Sequence, residues 1–182
     1  MGKHSAYRTA AKALGALLAE RNIELIYGGT KVGLMGEVAD AVLKRGGRAV
    51  GVIPGAIMPK EIAHQGLTKL HVVGSMHERK AMMSDLADAF IALPGGFGTF
   101  EEFCEVLTWA QLGLQQKPCG LLNVENYYDP LLALFDHAVD EQFLKPENRR
   151  LVLADSEPAQ LLEKLASYEP QTVSKWIGRE SR

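Results

Sequence analysis

The sequence predicts an α/β fold: a Rossmann-like, doubly wound parallel sheet with helices on both faces. Short apolar runs alternate with longer segments whose apolar residues recur at helical spacing. Strands separated by helices of this length argue for a parallel sheet covered on both faces. Two of the runs pass directly into glycine-rich stretches, the usual chemistry of a strand-to-helix turn. With 182 residues and 47% hydrophobic content, the chain can fill one sizeable core. A single domain over residues 1–182 is expected.

Tyr7, Ala10, Ala11, Leu14, Leu17 and Leu18 fall at helical spacing and predict an opening amphipathic helix that ends near Arg21 and Asn22. A strand, "ELIYGG", follows. The alternation then continues through helix "GLMGEVADAVLKRGG", strands "AVGVIPG" and "KLHVVG", helix "HERKAMMSDLAD" and strand "AFIALPGG". Next come helix "TFEEFCEVLTWAQLGL", strand "CGLLNV", helix "PLLALFDHAVDEQFL", a last strand in "LVLA" and a closing helix, "PAQLLEKLASY". A doubly wound domain normally starts with a strand that feeds the first helix, and here only the tail of such a loop, "GKHS", precedes it. Either the sequence is N-terminally incomplete or the sheet lacks a strand.

Composition narrows the function. Twenty basic residues stand against 22 acidic ones, for a net charge of −2, and no long basic run offers a footprint for nucleic acid or an anionic membrane. A small molecule is the expected partner. Cys104 and Cys119 are the only cysteines and form no CxxC pair, which fits a reducing cytoplasm. The N-terminus lacks the apolar core of a signal peptide. The five histidines are scattered, with no Ser-His-Asp or HExxH pattern, so neither serine catalysis nor a metal site is expected. Met35, Met82, Met83 and Trp109 read as helix faces in the core or at a subunit contact.

Two glycine-rich loops fall where parallel sheets bind ligands, at the carboxyl ends of strands. The first, "YGGTKVGLMG", carries Gly28, Gly29, Thr30 and Gly33. It reads either as a phosphate or nucleotide loop or simply as tight strand-to-helix packing. In the second, "PGGFGTFEE", Gly95, Gly96 and Gly98 leave backbone N–H groups free to converge on an anion, and Thr99 adds a hydroxyl. No Gly-Lys-Ser/Thr follows, so a monophosphate suits this loop better than a triphosphate with magnesium. Its acids are the puzzle, because a phosphate would repel them. Thr99 and Glu102 have the spacing of a capping box, which would make Glu102 a helix cap; the other reading makes it catalytic. "SMHERK" holds a second capping box, Ser75 with Glu78, followed by Arg79 and Lys80 near the positive end of a helix dipole. Cations there are either a solvated surface pair or the partners of a phosphate and a carboxylate.

Together, "YGGTKVGLMG", "MHERK", "PGGFGTFEE" and "LTWAQLG" resemble the LOG (Lonely Guy) family of cytokinin riboside 5'-monophosphate phosphoribohydrolases, over about Tyr7 to Leu153. The resemblance implies a Rossmann-like dimer that needs no cofactor. It also implies hydrolysis of the N-glycosidic bond of AMP or its N6-substituted forms, a nucleoside 5'-monophosphate being the partner. The family signature PGGxGTxxE maps onto Pro94 to Glu102 without a mismatch, and the family's essential arginine matches Arg79. By the same resemblance Arg79 and Glu102 are catalytic, and Glu61, Lys80, Gly95, Gly96, Phe97, Gly98, Thr99, Glu101 and Thr108 contact substrate. Family members begin with a strand ending in a Cys-Gly-Ser/Ala-Ser loop, and nothing matching it precedes Lys3, which fits a truncated sequence. Two alternatives stay open: a general purine monophosphate nucleosidase, and a nucleotide- or cofactor-carrying module of the same fold.

Overall fold

The computed structural model describes residues 2–56 and 63–170 of the chain. It divides into two compact units, Met1–Ala87 and Asp88–Arg182.

In the first unit, helix α1 (Ser5–Glu20) is followed by strand β1 (Leu25–Tyr27), helix α2 (Gly33–Lys44), strands β2 (Ala49–Pro54) and β3 (Lys69–Val73), and helix α3 (Met76–Leu86). The strands form a parallel sheet in the order β1-β2-β3, with Leu25 opposite Ala49 and Val50 opposite Lys69. All six residues of β2 are buried, as expected of a central strand covered on both faces. α1 and α2 pack together through small and medium residues, among them Ala11, Leu14 and Ala16 on one and Val38, Ala39 and Val42 on the other. The predicted end of α1 falls at a Schellman turn, in which Asn22 takes a φ of 57° and the Ile23 N–H reaches Leu18 O at 2.9 Å.

In the second unit, strand β4 (Phe90–Ala92), helix α4 (Phe97–Gln111) and strand β5 (Cys119–Leu122) are followed by a 3₁₀ turn at Val124–Asn126. Helices α5 (Asp129–Asp140) and α6 (Pro146–Arg149), strand β6 (Val152–Asp155) and helix α7 (Pro158–Ala166) complete it. This sheet is also parallel, in the order β4-β5-β6. Alternation along β5 covers both its faces. Cys119 and Leu121 join a core with Phe103 and Val106 of α4, Tyr128 and Val152, while Gly120, on the other face, lies against Leu161 and Leu165 of α7. Burying a leucine such as Leu121 fully contributes about 1.5–3 kcal/mol.

Each predicted helix and strand appears, most within two or three residues of its expected bounds. The 3₁₀ turn and α6 were not expected. Trp109 packs against the core of the second unit, and Met35, at 38% exposed, lies outside the core.

Candidate active site

β4 stops at Ala92, and α4 begins at Phe97 with Gly96 as its N-cap, extended at φ −99° and ψ −154°. No side chain caps this helix, so the expected Thr99–Glu102 capping box is absent. With Gly96 as its N-cap, the helix starts earlier than that pattern assumed. Thr99 is therefore the third helical residue and Glu102 the sixth, about 9 Å along the axis from the N-cap and past the first turn. Glu102 is half-buried; Glu101 beside it is exposed.

The helix start has a second consequence. The N–H groups of Gly96, Phe97, Gly98 and Thr99 are the first four of α4 and have no acceptor within the helix. The first intrahelical bond runs from Phe100 N to Gly96 O at 3.1 Å. A Cβ on Gly95 would overlap Thr99 Oγ1 and lie 2.8 Å from its Cβ, so packing alone requires that glycine. A Cβ on Gly96 or Gly98 would meet no atom within 4 Å. Packing does not require those two, and they leave the backbone at the helix start open to close approach. Phe97, at the helix mouth, is 92% exposed. Glu101 and Thr108, seven residues apart, share one face of α4, and Thr108 Oγ1 donates to Cys104 O at 2.8 Å.

Sequence reasoning missed the support beneath this loop. Tyr127 Oη donates to Gly95 O at 2.5 Å and Tyr128 Oη donates to Leu93 O at 2.6 Å. Tyr128 is 1% exposed, and burial, with Tyr127 as a lesser cause, pushes its hydroxyl well above the ordinary phenol value, so it stays a donor. Phe100 stacks on Tyr127 with centroids 6.5 Å apart and meets Tyr128 edge-on at 6.4 Å. Adjacent tyrosines just past a strand's carboxyl end, in "NVENYYDP", were the available signal.

In the first unit, the glycine loop leaves β1 through Gly28 and Gly29, turns at the fully buried Thr30, and enters α2 at Gly33. The His64 N–H holds Gly29 O at 2.9 Å, and Thr30 bridges Ala63. His64 Nε2 lies 3.1 Å from Asp40 Oδ1 and its ring meets Tyr27 edge-on. Burial, then the Asp40 charge, push the Tyr27 hydroxyl well above its usual value. The expected Ser75–Glu78 capping box is present, with Glu78 N donating to Ser75 Oγ at 3.1 Å; the glutamate reaches back to Gly74 N at 2.7 Å, one residue before the position the pattern assigns. Arg79 is only 8% exposed, which removes the solvated-surface reading for it, and Lys80 is half-buried. A Cβ on Gly28 would overlap Arg79 Nη2 and lie 3.1 Å from its Cζ, with Met35 Sδ at 3.4 Å. This glycine makes room for a buried guanidinium.

The structure thus groups Gly28, Gly29, Thr30 and Gly33 with Arg79 in one unit, and Gly95 to Glu102 with Tyr127 and Tyr128 in the other. Glu61 lies outside the described residues. Among the described residues no three His, Cys, Asp or Glu side chains gather as a metal site. No helix among them is long and apolar enough to cross a membrane.

Comparison with known proteins supplies the family. A family model described as "Possible lysine decarboxylase" matches residues 35–165. The Arabidopsis thaliana cytokinin riboside 5'-monophosphate phosphoribohydrolase LOG7 is 51% identical over 170 residues, covering 93% of this chain and 78% of the relative. The Oryza sativa enzyme LOG is 48% identical over 170 residues, covering 93% and 70%. Among solved structures, the molybdenum cofactor binding protein of Rippkaea orientalis superposes with a TM-score of 0.69 at 24% identity, over 90% of this chain and 88% of that one. The molybdenum cofactor carrier protein of Chlamydomonas reinhardtii gives 0.66 at 21% identity, over 91% of each. At such identities these two likenesses establish the shared Rossmann-type fold and nothing of activity. A family model over most of the chain and about half-identity to both plant enzymes over 93% of it place this protein in the LOG family of cytokinin riboside 5'-monophosphate phosphoribohydrolases.

Proposed function

We propose that the protein hydrolyses the N-glycosidic bond of AMP or of N6-substituted (cytokinin) riboside 5'-monophosphates, releasing the free base and ribose 5-phosphate. One observation carries this reading: α4 starts at Phe97 with Gly96 as its N-cap, which leaves four backbone donors for an anion and places Glu102 past the first turn. The donors take the 5'-phosphate. Glu102, one and a half turns further along, addresses the sugar. As the bond from C1' to the base nitrogen breaks, its electron pair leaves with the base and positive charge gathers on the ribose. The carboxylate offsets that charge and accepts a proton from the water whose oxygen bonds to C1'; the departing base is protonated in turn. By the family resemblance, Arg79 offsets substrate charge and orients the nucleotide, each charge-assisted contact contributing about 1.5–3 kcal/mol.

The remaining assignments rest on the family resemblance: Lys80, Glu61, Glu101 and Thr108 contact the nucleotide, and Gly28, Gly29, Thr30 and Gly33 form its second loop. The reading takes the chain to act as one nucleotide-binding domain, in the cytoplasm, as a homodimer; exposed Leu112 and Leu114 just past α4 and Leu134 on α5 support a subunit contact. A plain AMP nucleosidase and a cytokinin-specific enzyme differ only in the base, and a panel of nucleotides separates them.

Release of adenine from AMP by the wild type and Glu102→Ala, with AMP binding to both, tests the proposal. The variant is expected to bind AMP and to lose at least about 100-fold in rate. Binding by both proteins with release by neither overturns it in favour of a carrier.

A further inference from the structure

The turn between β5 and α5 is strained and over-determined. Glu125 and Asn126 are consecutive non-glycine residues with φ of 53° and 57°, a conformation that costs about 1–2 kcal/mol per residue, less for Asn. The surroundings hold it there. Asn123 N donates to Asp155 O at 2.8 Å, Asn123 Nδ2 to Asp129 Oδ1 at 2.7 Å, and Tyr128 N to Asn123 Oδ1 at 2.7 Å. Strain maintained in this way points to something the turn delivers. It delivers Tyr127 and Tyr128 to the two carbonyls that bracket Pro94.

The two hydroxyls do different things. Tyr128 bonds the carbonyl of Leu93, whose peptide continues into Pro94 and has no N–H. That contact satisfies a carbonyl beside the buried Tyr128 and orients no donor. Tyr127 bonds the carbonyl of Gly95, and the N–H of the same peptide belongs to Gly96. In a trans peptide the two groups point in opposite directions, and the described chain holds no cis bond. Fixing the carbonyl toward Tyr127 therefore aims the Gly96 N–H away from the tyrosine. Glycine on both sides of this peptide makes it the one most free to rotate, hence the one that most needs a clamp.

We propose that Tyr127 is a positioning residue for phosphate binding: its hydroxyl sets the Gly95–Gly96 peptide so that the N-cap donor of α4 faces the 5'-phosphate. The proposal rests on the reading of this loop as the phosphate site. It adds a residue that touches no substrate and that phosphate affinity nevertheless depends on. Tyr127→Phe keeps the stack on Phe100 and removes only the hydroxyl.

Equilibrium dialysis of ribose 5-phosphate, ribose and adenosine against the wild type, Tyr127→Phe and Tyr128→Phe tests it. Tyr127→Phe is expected to weaken ribose 5-phosphate about five- to tenfold, the worth of one hydrogen bond, with adenosine unchanged. Tyr128→Phe is expected to lower the melting temperature and leave the ratio of the two affinities as in the wild type. Unchanged ribose 5-phosphate binding in Tyr127→Phe, or equal weakening of both ligands, overturns the role of Tyr127. A wild type that binds ribose 5-phosphate no more tightly than ribose overturns the phosphate site itself, and the proposal with it.

Discussion

Arg79 lies with its guanidinium across the space that a side chain at Gly28 would fill. The contact involves the far end of a flexible side chain, and the backbone at Gly28 has no positive φ, so Gly28→Ala meets no obstacle to folding. The guanidinium must move instead. We expect Gly28→Ala to lose about 100-fold in kcat/KM, the scale set by a displacement of about 1 Å, with a melting temperature near that of the wild type. Full activity would show that the placement of Arg79 does not matter to the reaction. The identity of Arg79 as a candidate was legible in the sequence, from a cation at a helix start where the dipole disfavours it. Its burial and its glycine partner were not, because Gly28 and Arg79 are far apart in the chain and only folding makes them neighbours.

Helix starts decide what the acidic residues of the two motifs do. The patterns Ser75-x-x-Glu78 and Thr99-x-x-Glu102 look alike, yet only the first caps. Ser75 precedes a helix that begins at Met76, so its hydroxyl reaches Glu78 N; α4 begins ahead of Thr99 and carries it inside. Ser75→Ala should therefore cost about 1 kcal/mol and lower the melting temperature by about 2–4 °C. The matching change Thr99→Ala has no cap to lose and is expected to cost less in stability than in phosphate affinity. A thermal melt of both variants checks the pair, and equal destabilisation would restore a cap at Thr99. Spacing alone could not separate the motifs, since both satisfy the same local rule.

Across the molecule, parallel strands and covering helices follow from a pattern readable along the chain: apolar runs such as "AVGVIP" and "CGLL" buried along their whole length, with helices of matching length between. Exposed Leu112, Leu114 and Leu134 are large apolar side chains left uncovered on one copy. Sedimentation equilibrium is expected to give the mass of two chains, and a single-chain mass would remove the homodimer reading. The sequence by itself determined the α/β class, the order of elements and the two glycine loops, because periodicity and turn chemistry are local properties. Tertiary structure decided what those loops rest on: the helix start at Phe97 behind its Gly96 N-cap, the guanidinium against Gly28, and the two tyrosine hydroxyls that bond Leu93 and Gly95. Each depends on which distant groups share a hydrogen bond or a van der Waals contact, and no spacing rule along the chain encodes that.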